Sequence, residues 1–489
     1  MLALVSLIRY FLGLFGEGVH FLRPLCYALA MKFTVDIIGA GLAGSEAALQ
    51  LARRGVNVRL YEMRPEHMTP VHLSGLCAEL VCSNSLKSTK PESAAGMLKY
   101  ELTQLESSLL EYAYDTRVAA GGALAVDRSA FASTVTRTLE RNPFIELVRE
   151  EVTSLPTGAD ALIIASGPLT SDSLARSISE ITSSEYLSFF DAAAPIVMAD
   201  SLDHSILFRQ SRYEEGAEGD YLNAPFDKQG YESFIKELCA ADRVILKEFE
   251  SKELFAACQP IEEIARRGID APRYGTMKPV GLVDPSTGSR PWAALQLRAE
   301  DAYGSSYNLV GFQTNLTFSE QERVFRMIPG LEHAEFVRYG VMHRNTFVDA
   351  PLVLDSGLRL KNPQQEFRGR PVFFAGQLCG TEGYCEAIMS GLWAALSVYA
   401  AFKEVQLPTF PATTSFGALL AYATDEATKN YQPMHVNFGI MPPLEKRIRN
   451  KKERYEAYAR RGNEAFRVFL DDLVKEQLFV SETKGIEDD

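Results

Sequence analysis

The chain has 489 residues, 46% of them apolar and 23% charged, which is the composition of a soluble globular protein with room for two or three domains. Its net charge of −13 excludes a protein whose whole surface is basic, while leaving room for a local nucleic-acid patch. The seven cysteines (Cys26, Cys77, Cys82, Cys239, Cys258, Cys379 and Cys385) are odd in number and contain no C-x-x-C pair, so a reduced, cytoplasmic protein is expected rather than a disulfide-stapled one or a metal site.

Residues 1–30 are apolar but interrupted by Arg9, Glu17 and Arg23. No uncharged run reaches the roughly 18 residues of a membrane span, so no membrane association is expected. Ala28-Leu29-Ala30 has the look of a cleavage site, but Arg9 sits inside the apolar part instead of before it. Met31-Lys32 directly precedes the first strand and is the expected true start, leaving 1–30 as an extension outside the fold.

The stretch from Val35 to Ala48 organises the rest. A short, β-branched apolar run reads as a buried parallel strand and enters Gly39-Ala40-Gly41-Leu42-Ala43-Gly44. A helix through Ala47–Ala52 follows, ending at Gly55, and a second strand runs from Val56 to Tyr61. The three glycines do different things. Gly39 allows the tight turn, Gly41 lets a pyrophosphate approach closely, and Gly44 lets helix and strand pack together. The helix start holds phosphate charge, and Glu62, about 20 residues on, can accept hydrogen bonds from ribose hydroxyls.

Residues 66–95 are turn-rich and carry the run Ala78–Ser88, dense in hydroxyl and amide groups around one thiol. A single helix is predicted over 96–114, with Leu98, Leu102, Leu105 and Leu109 on one face. Strands follow at 145–152 and at Ala161–Ala165, the latter stopping at Gly167-Pro168. From about residue 200 the segments become polar and aromatic-rich. Pro371–Gln377 is a late strand ending in glycine; Gly380–Tyr384 and a helix from Cys385 to Phe402 follow it. Strand, glycine turn and helix are thus presented a second time, with Gly376, Gln377 and Tyr384 where a cofactor would lie. Gly391 inside that helix implies close helix packing. Near the end, Glu445–Arg454 holds six basic residues. Lys446, Arg447, Lys451 and Lys452 there can contact RNA phosphates, although a solvated helix face has the same pattern.

These motifs describe a flavoprotein with a large insertion. The fold class is α/β: a Rossmann-like FAD-binding domain of the glutathione-reductase type, with an inserted α+β substrate domain. The expected segments are 31–200 and 336–440 for the FAD-binding domain, 201–335 for the inserted substrate domain, and 441–489 for a basic helical tail.

The run Glu79-Leu80-Val81-Cys82-Ser83-Asn84-Ser85-Leu86-Lys87-Ser88 resembles the signature of the folate- and FAD-dependent tRNA (uracil-5-)-methyltransferases. Gly121–Arg128, Asp191–Val197, Met277–Leu282, Arg338–Thr346 and Phe373–Gln377 extend the resemblance, which runs from about Val35 to Arg454. It implies that the methylene group of methylenetetrahydrofolate passes to a T-arm uridine of tRNA, with FAD and NAD(P)H supplying the reduction, to give ribothymidine.

That chemistry suits the residues. Carbon 5 of uracil is a poor nucleophile until a thiolate adds at carbon 6, and the proton on carbon 5 must then leave. By resemblance Cys82 and Cys258 are the catalytic pair, Cys258 as the carbon-6 nucleophile and Cys82, beside the flavin, aiding proton removal; the sequence leaves the two roles exchangeable. Cys77 and Cys239 read as small buried hydrophobes. Cys379 and Cys385, at a turn and a helix start, are expected to have lowered thiol pKa values. His343 and Arg344 could orient folate carboxylates or RNA phosphate, and Tyr384 could stack on folate or flavin. Competing readings are a wobble-uridine-type tRNA modification flavoprotein, a small-molecule FAD oxidoreductase and a non-catalytic flavin and RNA-binding scaffold.

Overall fold

The computed structural model describes residues 33–69, 71–183, 187–212, 219–244, 259–363, 367, 369–428 and 431–479, without the side chains of residues 187–191, 343 and 344. Residues 1–30, Met31, Cys258 and the side chains of His343 and Arg344, all singled out above, lie outside the described residues.

The fingerprint grows out of a five-stranded parallel sheet. Thr34–Ile38 is the middle strand, between Asn57–Glu62 and Ala161–Ile164, with Ile145–Arg149 and Val372–Phe374 at the edges. Strands covered on both faces must be apolar almost throughout, and Val35, Ile37 and Ala161–Ile164 are fully buried. The exception is Asp36, also fully buried, whose carboxylate is bound by Arg59 Nε at 2.8 Å and Arg370 Nη2 at 3.1 Å. A buried charge of this kind persists only when paired; here the pairing ties the middle strand to its neighbour and to the start of the late strand.

Helix Leu42–Arg53 leaves the fingerprint and packs on the apolar core helix Tyr384–Lys403. They meet at Gly391, where a Cβ would lie 2.1 Å from the Ala43 carbonyl oxygen, so the close packing implied by that glycine is present. The core helix has the length and apolarity to cross a membrane, but most of it is buried inside the protein.

A ribbon of two antiparallel strands, Leu187–Ala192 and Met342–Phe347, carries the chain out of this domain and back. Between them lies a six-stranded antiparallel sheet, in the order Phe208–Arg209, Tyr221–Phe226, Ala293–Ala299, Ser306–Leu309, Ile196–Met198 and Phe336–Arg338. Its strands thus reach past both ends of the 201–335 segment. It has a core of its own, with Phe226, Phe234, Phe312 and Phe325 in contact ring to ring.

Two expectations change. The helix predicted over 96–114 is two helices, Ala94–Gln104 and Ser108–Asp115, with Glu106 at φ +54° between them. The break is stabilised from outside the segment: Glu46 accepts the N–H groups of Ser108 at 3.2 Å and Leu109 at 2.9 Å, supplying partners that a new helix start needs. Leu98, Leu102, Leu105 and Leu109 all remain in the main core. Near the C-terminus, residues 441–450 are not helical. The helix is Lys451–Lys475, opened by the Asn450 side chain, which accepts the Lys452 N–H at 2.9 Å. Phe466, Phe469 and Leu473 fix it in the main core.

Candidate active site

The fingerprint glycines divide into two kinds. Gly39 sits at φ +98°, and a Cβ there would lie 2.6 Å from the Ala165 carbonyl oxygen. At Gly44 a Cβ would be 1.9 Å from the Gly39 carbonyl oxygen. Both are therefore demanded by the fold itself. Gly41 would meet no protein atom within 4 Å, and it faces a cavity of about 380 Å³. The helix behind it begins with no side-chain cap and no acidic residue in its first turn. Its first N–H groups and positive end are thus left for an anionic ligand.

Gly39, Gly41, Leu42 and Ala43 line the cavity, and so does Glu62. Ala40 and Gly44 stand behind the lining. The Ala40 N–H donates to Glu62 Oε2 at 3.1 Å, while Glu62 Oε1 accepts the Arg64 N–H at 3.1 Å and Arg64 Nε at 2.8 Å. The carboxylate is thereby fixed at the end of the second strand. Gly376 and Gln377 line the cavity too, Gly376 so close to the fingerprint that a Cβ there would stand 3.1 Å from Ala43 Cβ; Gly376 lies at φ +77° and donates its N–H to Ser390 Oγ at 2.7 Å, and Gln377 Nε2 donates to Glu382. Gly383 and Tyr384 join them, where the core helix also starts without a side-chain cap. Two uncapped helix starts therefore converge on one cavity, and a Cβ at Gly41 would intrude into it. These features fit FAD: Gly39, Gly41, Leu42, Ala43, Glu62, Gly376, Gln377 and Tyr384 line one cavity with free helix starts for an anionic cofactor.

Val81, Cys82 and Ser83 bring the thiol into the same cavity. Their loop is held on both sides. Tyr384 Oη accepts the N–H groups of Cys82 and Ser83, each at 3.0 Å. Burial, and after it the nearby Cys82 sulfur, pushes the Tyr384 phenol well above its usual range, so it stays protonated. From the other side, Arg128 donates to the carbonyls of Leu80 and, at 3.4 Å, Cys82. Arg338 donates to the Val81 carbonyl, and Arg298 to Asn84 Oδ1 at 2.7 Å and Ser83 Oγ at 3.0 Å. Arg128 also pairs with Glu300. Sequence reasoning assigned no role to these arginines, although Arg128 closes one of the runs that carry the resemblance and Arg338 opens another.

The remaining cysteines separate from Cys82. Cys379 and Cys385 are buried, and burial pushes the first up to about 11 and raises the second. The lowered thiol values expected at this turn and helix start are thus overturned, because loss of water outweighs the helix end. Cys77 is buried as expected, with its thiol likewise raised to about 11. Cys239 lies in helix Lys228–Ala240, and burial raises its thiol too. Of the cysteines among the described residues, Cys82 alone lines the cavity. Among the described residues no group of three or more His, Cys, Asp and Glu could hold a metal ion.

Lys446, Arg447, Lys451 and Lys452 are all exposed. Lys446 and Arg447 precede the C-terminal helix. Lys451 stands 5.5 Å from the Tyr455 ring centroid, and Lys452 makes a surface pair with Glu456 at 3.9 Å.

A parallel sheet with a glycine fingerprint, a fixed acid at its second strand and a late strand–turn–helix facing the same cavity define an FAD-binding flavoprotein of the Rossmann type. The family profile described as glucose inhibited division protein A matches residues 34–406, and the chain belongs to that family. It is 52% identical over 437 residues to the methylenetetrahydrofolate–tRNA-(uracil-5-)-methyltransferase TrmFO of Moorella thermoacetica, covering 89% of this chain and 98% of that protein. It is 50% identical over 437 residues to the protein of the same name from Desulforamulus reducens, covering 89% and 97%. The fold is similar to that of Aquifex aeolicus GidA, with a TM-score of 0.64 at 16% identity over 91% of this chain and 75% of that one.

Proposed function

We propose that the protein methylates carbon 5 of a T-arm uridine in tRNA, giving ribothymidine, with the carbon drawn from methylenetetrahydrofolate and the reduction from NAD(P)H. The observation that carries this reading is the thiol of Cys82 in the cavity that the nucleotide fingerprint lines. The names of relatives about half identical over nearly the whole chain support it. FAD, when bound, supplies the two-electron chemistry that turns a transferred methylene into a methyl group.

The chain's own residues do the rest. Addition of a thiolate to carbon 6 of uracil makes carbon 5 electron-rich, and Cys258 is assigned that addition. Cys82, held by Tyr384 on its N–H side, is assigned to removal of the carbon-5 proton. The uridine must leave its stack to reach a cavity of this kind, at a cost of a few kcal/mol. Lys446, Arg447, Lys451 and Lys452 are assigned to tRNA phosphates, whose binding offsets part of that cost. The free thiols of the described cysteines suit a reduced, cytoplasmic setting.

The test is nucleoside analysis of an unmodified tRNA transcript after incubation with the yellow protein and NAD(P)H. 5-Methyluridine that forms only when methylenetetrahydrofolate is added is the expected result. A flavin-loaded protein that leaves the transcript unmodified would overturn the assignment.

A further inference from the structure

The arginines around the Cys82 loop carry more charge than their surroundings balance. Arg298 and Arg338 are 6% and 8% exposed. Among the described residues, Glu300 is the one carboxylate that pairs with any of the three guanidinium groups, and it pairs with Arg128. Burial first, and with it the neighbouring Arg128 charge, lowers the affinity of Arg298 and Arg338 for their protons, as expected for like charges taken out of water together. Buried charges are ordinarily paired, and an unpaired one is costly. Yet both side chains reach one short loop, Arg298 while also meeting the Tyr221 hydroxyl. Arg298 reaches it from strand Ala293–Ala299 and Arg338 from strand Phe336–Arg338, both in the antiparallel sheet. Arg128 reaches it from helix Arg128–Arg141. Together they take the carbonyls of Leu80, Val81 and Cys82 and the side chains of Ser83 and Asn84. Asn84, fully buried, passes the contact on to the carbonyls of Val126 and Ala299, each at 3.0 Å.

We infer that Arg128, Arg298 and Arg338 are positioning residues for Cys82: they clamp its loop against the antiparallel sheet and aim the sulfur into the cavity. The clamp also makes the antiparallel sheet a structural partner of the thiol, since two of its three jaws stand on that sheet. Its use in uridine methylation rests on the function proposed above, but the clamp itself does not.

The experiment follows alkylation of Cys82 by iodoacetamide in the FAD-loaded protein, read by peptide mass mapping, alongside the flavin absorption spectrum. Arg298→Met and Arg338→Met should keep the flavin spectrum and slow Cys82 alkylation about tenfold, because a released loop no longer holds the sulfur toward the cavity through which the reagent reaches it. Arg298→Lys, which keeps a donor for Asn84 and Ser83, should recover part of the rate, whereas a role limited to filling space would leave Lys and Met equal. Ser83→Ala removes one acceptor of Arg298, together with the acceptor of the Ser85 N–H, and should slow the reaction severalfold. Rates within about twofold of wild type in all of these would overturn the clamp. Should either Met variant lose FAD, Arg298→Lys and Ser83→Ala decide, and unchanged rates in both would count against it. Failure of the methyltransferase reading shows differently: wild-type protein would form no 5-methyluridine, whatever its alkylation rate.

Discussion

Gly41 and Gly44 differ in what a methyl group would meet, and the difference is testable. Gly44→Ala drives a Cβ against the Gly39 carbonyl at 1.9 Å, backbone against backbone. It should destabilise the protein by about 2 kcal/mol or more, with FAD lost as a consequence. Gly41→Ala meets no protein atom within 4 Å. That variant should melt within about 0.5 kcal/mol of wild type yet bind FAD weakly, because the methyl group occupies the approach of the pyrophosphate. Thermal melting of the two apoproteins with a flavin titration separates the cases; equal loss of stability in both would contradict the division. The fingerprint was legible because its physics is local, with strand, turn and helix contiguous in sequence. The three arginines were not. Their partners lie 46, 215 and 257 residues away along the chain, and no spacing rule reaches that far.

At the scale of elements, helix starts are completed from a distance. Glu46 serves the start of Ser108–Asp115, and Glu101 serves Ser415–Thr424 by accepting the Phe416 N–H at 2.9 Å and that of Ser415. This explains why a leucine periodicity continuous through 96–114 still breaks into two helices: the apolar face was readable, but the carboxylate that opens the second helix belongs to another element. Burial raises the Glu101 carboxyl from 4.5 to about 8. The folded protein therefore holds a proton that the unfolded chain releases, and stability should fall as pH rises between those two values. Replacement by glutamine keeps the group neutral throughout, so melting temperatures of Glu101→Gln should lose that part of the pH dependence. A wild-type stability that climbs over this interval by more than the variant's would contradict the sign.

The basic run is an element-scale case of a different kind. Its charges were readable, but its shape was not, because the helix start depends on Asn450 and its anchoring on Phe466 and Phe469. Replacing Lys446, Arg447, Lys451 and Lys452 by glutamine should leave the fold intact, since all four are exposed. It should weaken tRNA binding and flatten its dependence on salt, each lost phosphate contact removing about one from the slope of log affinity against log salt. An unchanged slope in a filter-binding titration would show that these side chains face only solvent.

Across the whole molecule, two sheets with separate cores meet at one loop. The parallel sheet brings the glycines, the fixed Glu62 and the two uncapped helix starts. The antiparallel sheet sends Arg298 and Arg338 to the back of Cys82. The alternation of strand and helix made the first sheet readable from the chain. The second is built from short strands paired by tertiary contact, and its reach past residues 201 and 335 follows from pairings such as Tyr307 with Val197 and Phe336 with Val197. Everything turns on the flavin and the Cys82 sulfur serving one reaction in one cavity. Cys82→Ala tests this most directly, with flavin absorption and 5-methyluridine formation measured on the same preparation. The expected result is a wild-type flavin spectrum with turnover lost by about a thousandfold or more; undiminished 5-methyluridine formation by the yellow variant would contradict it.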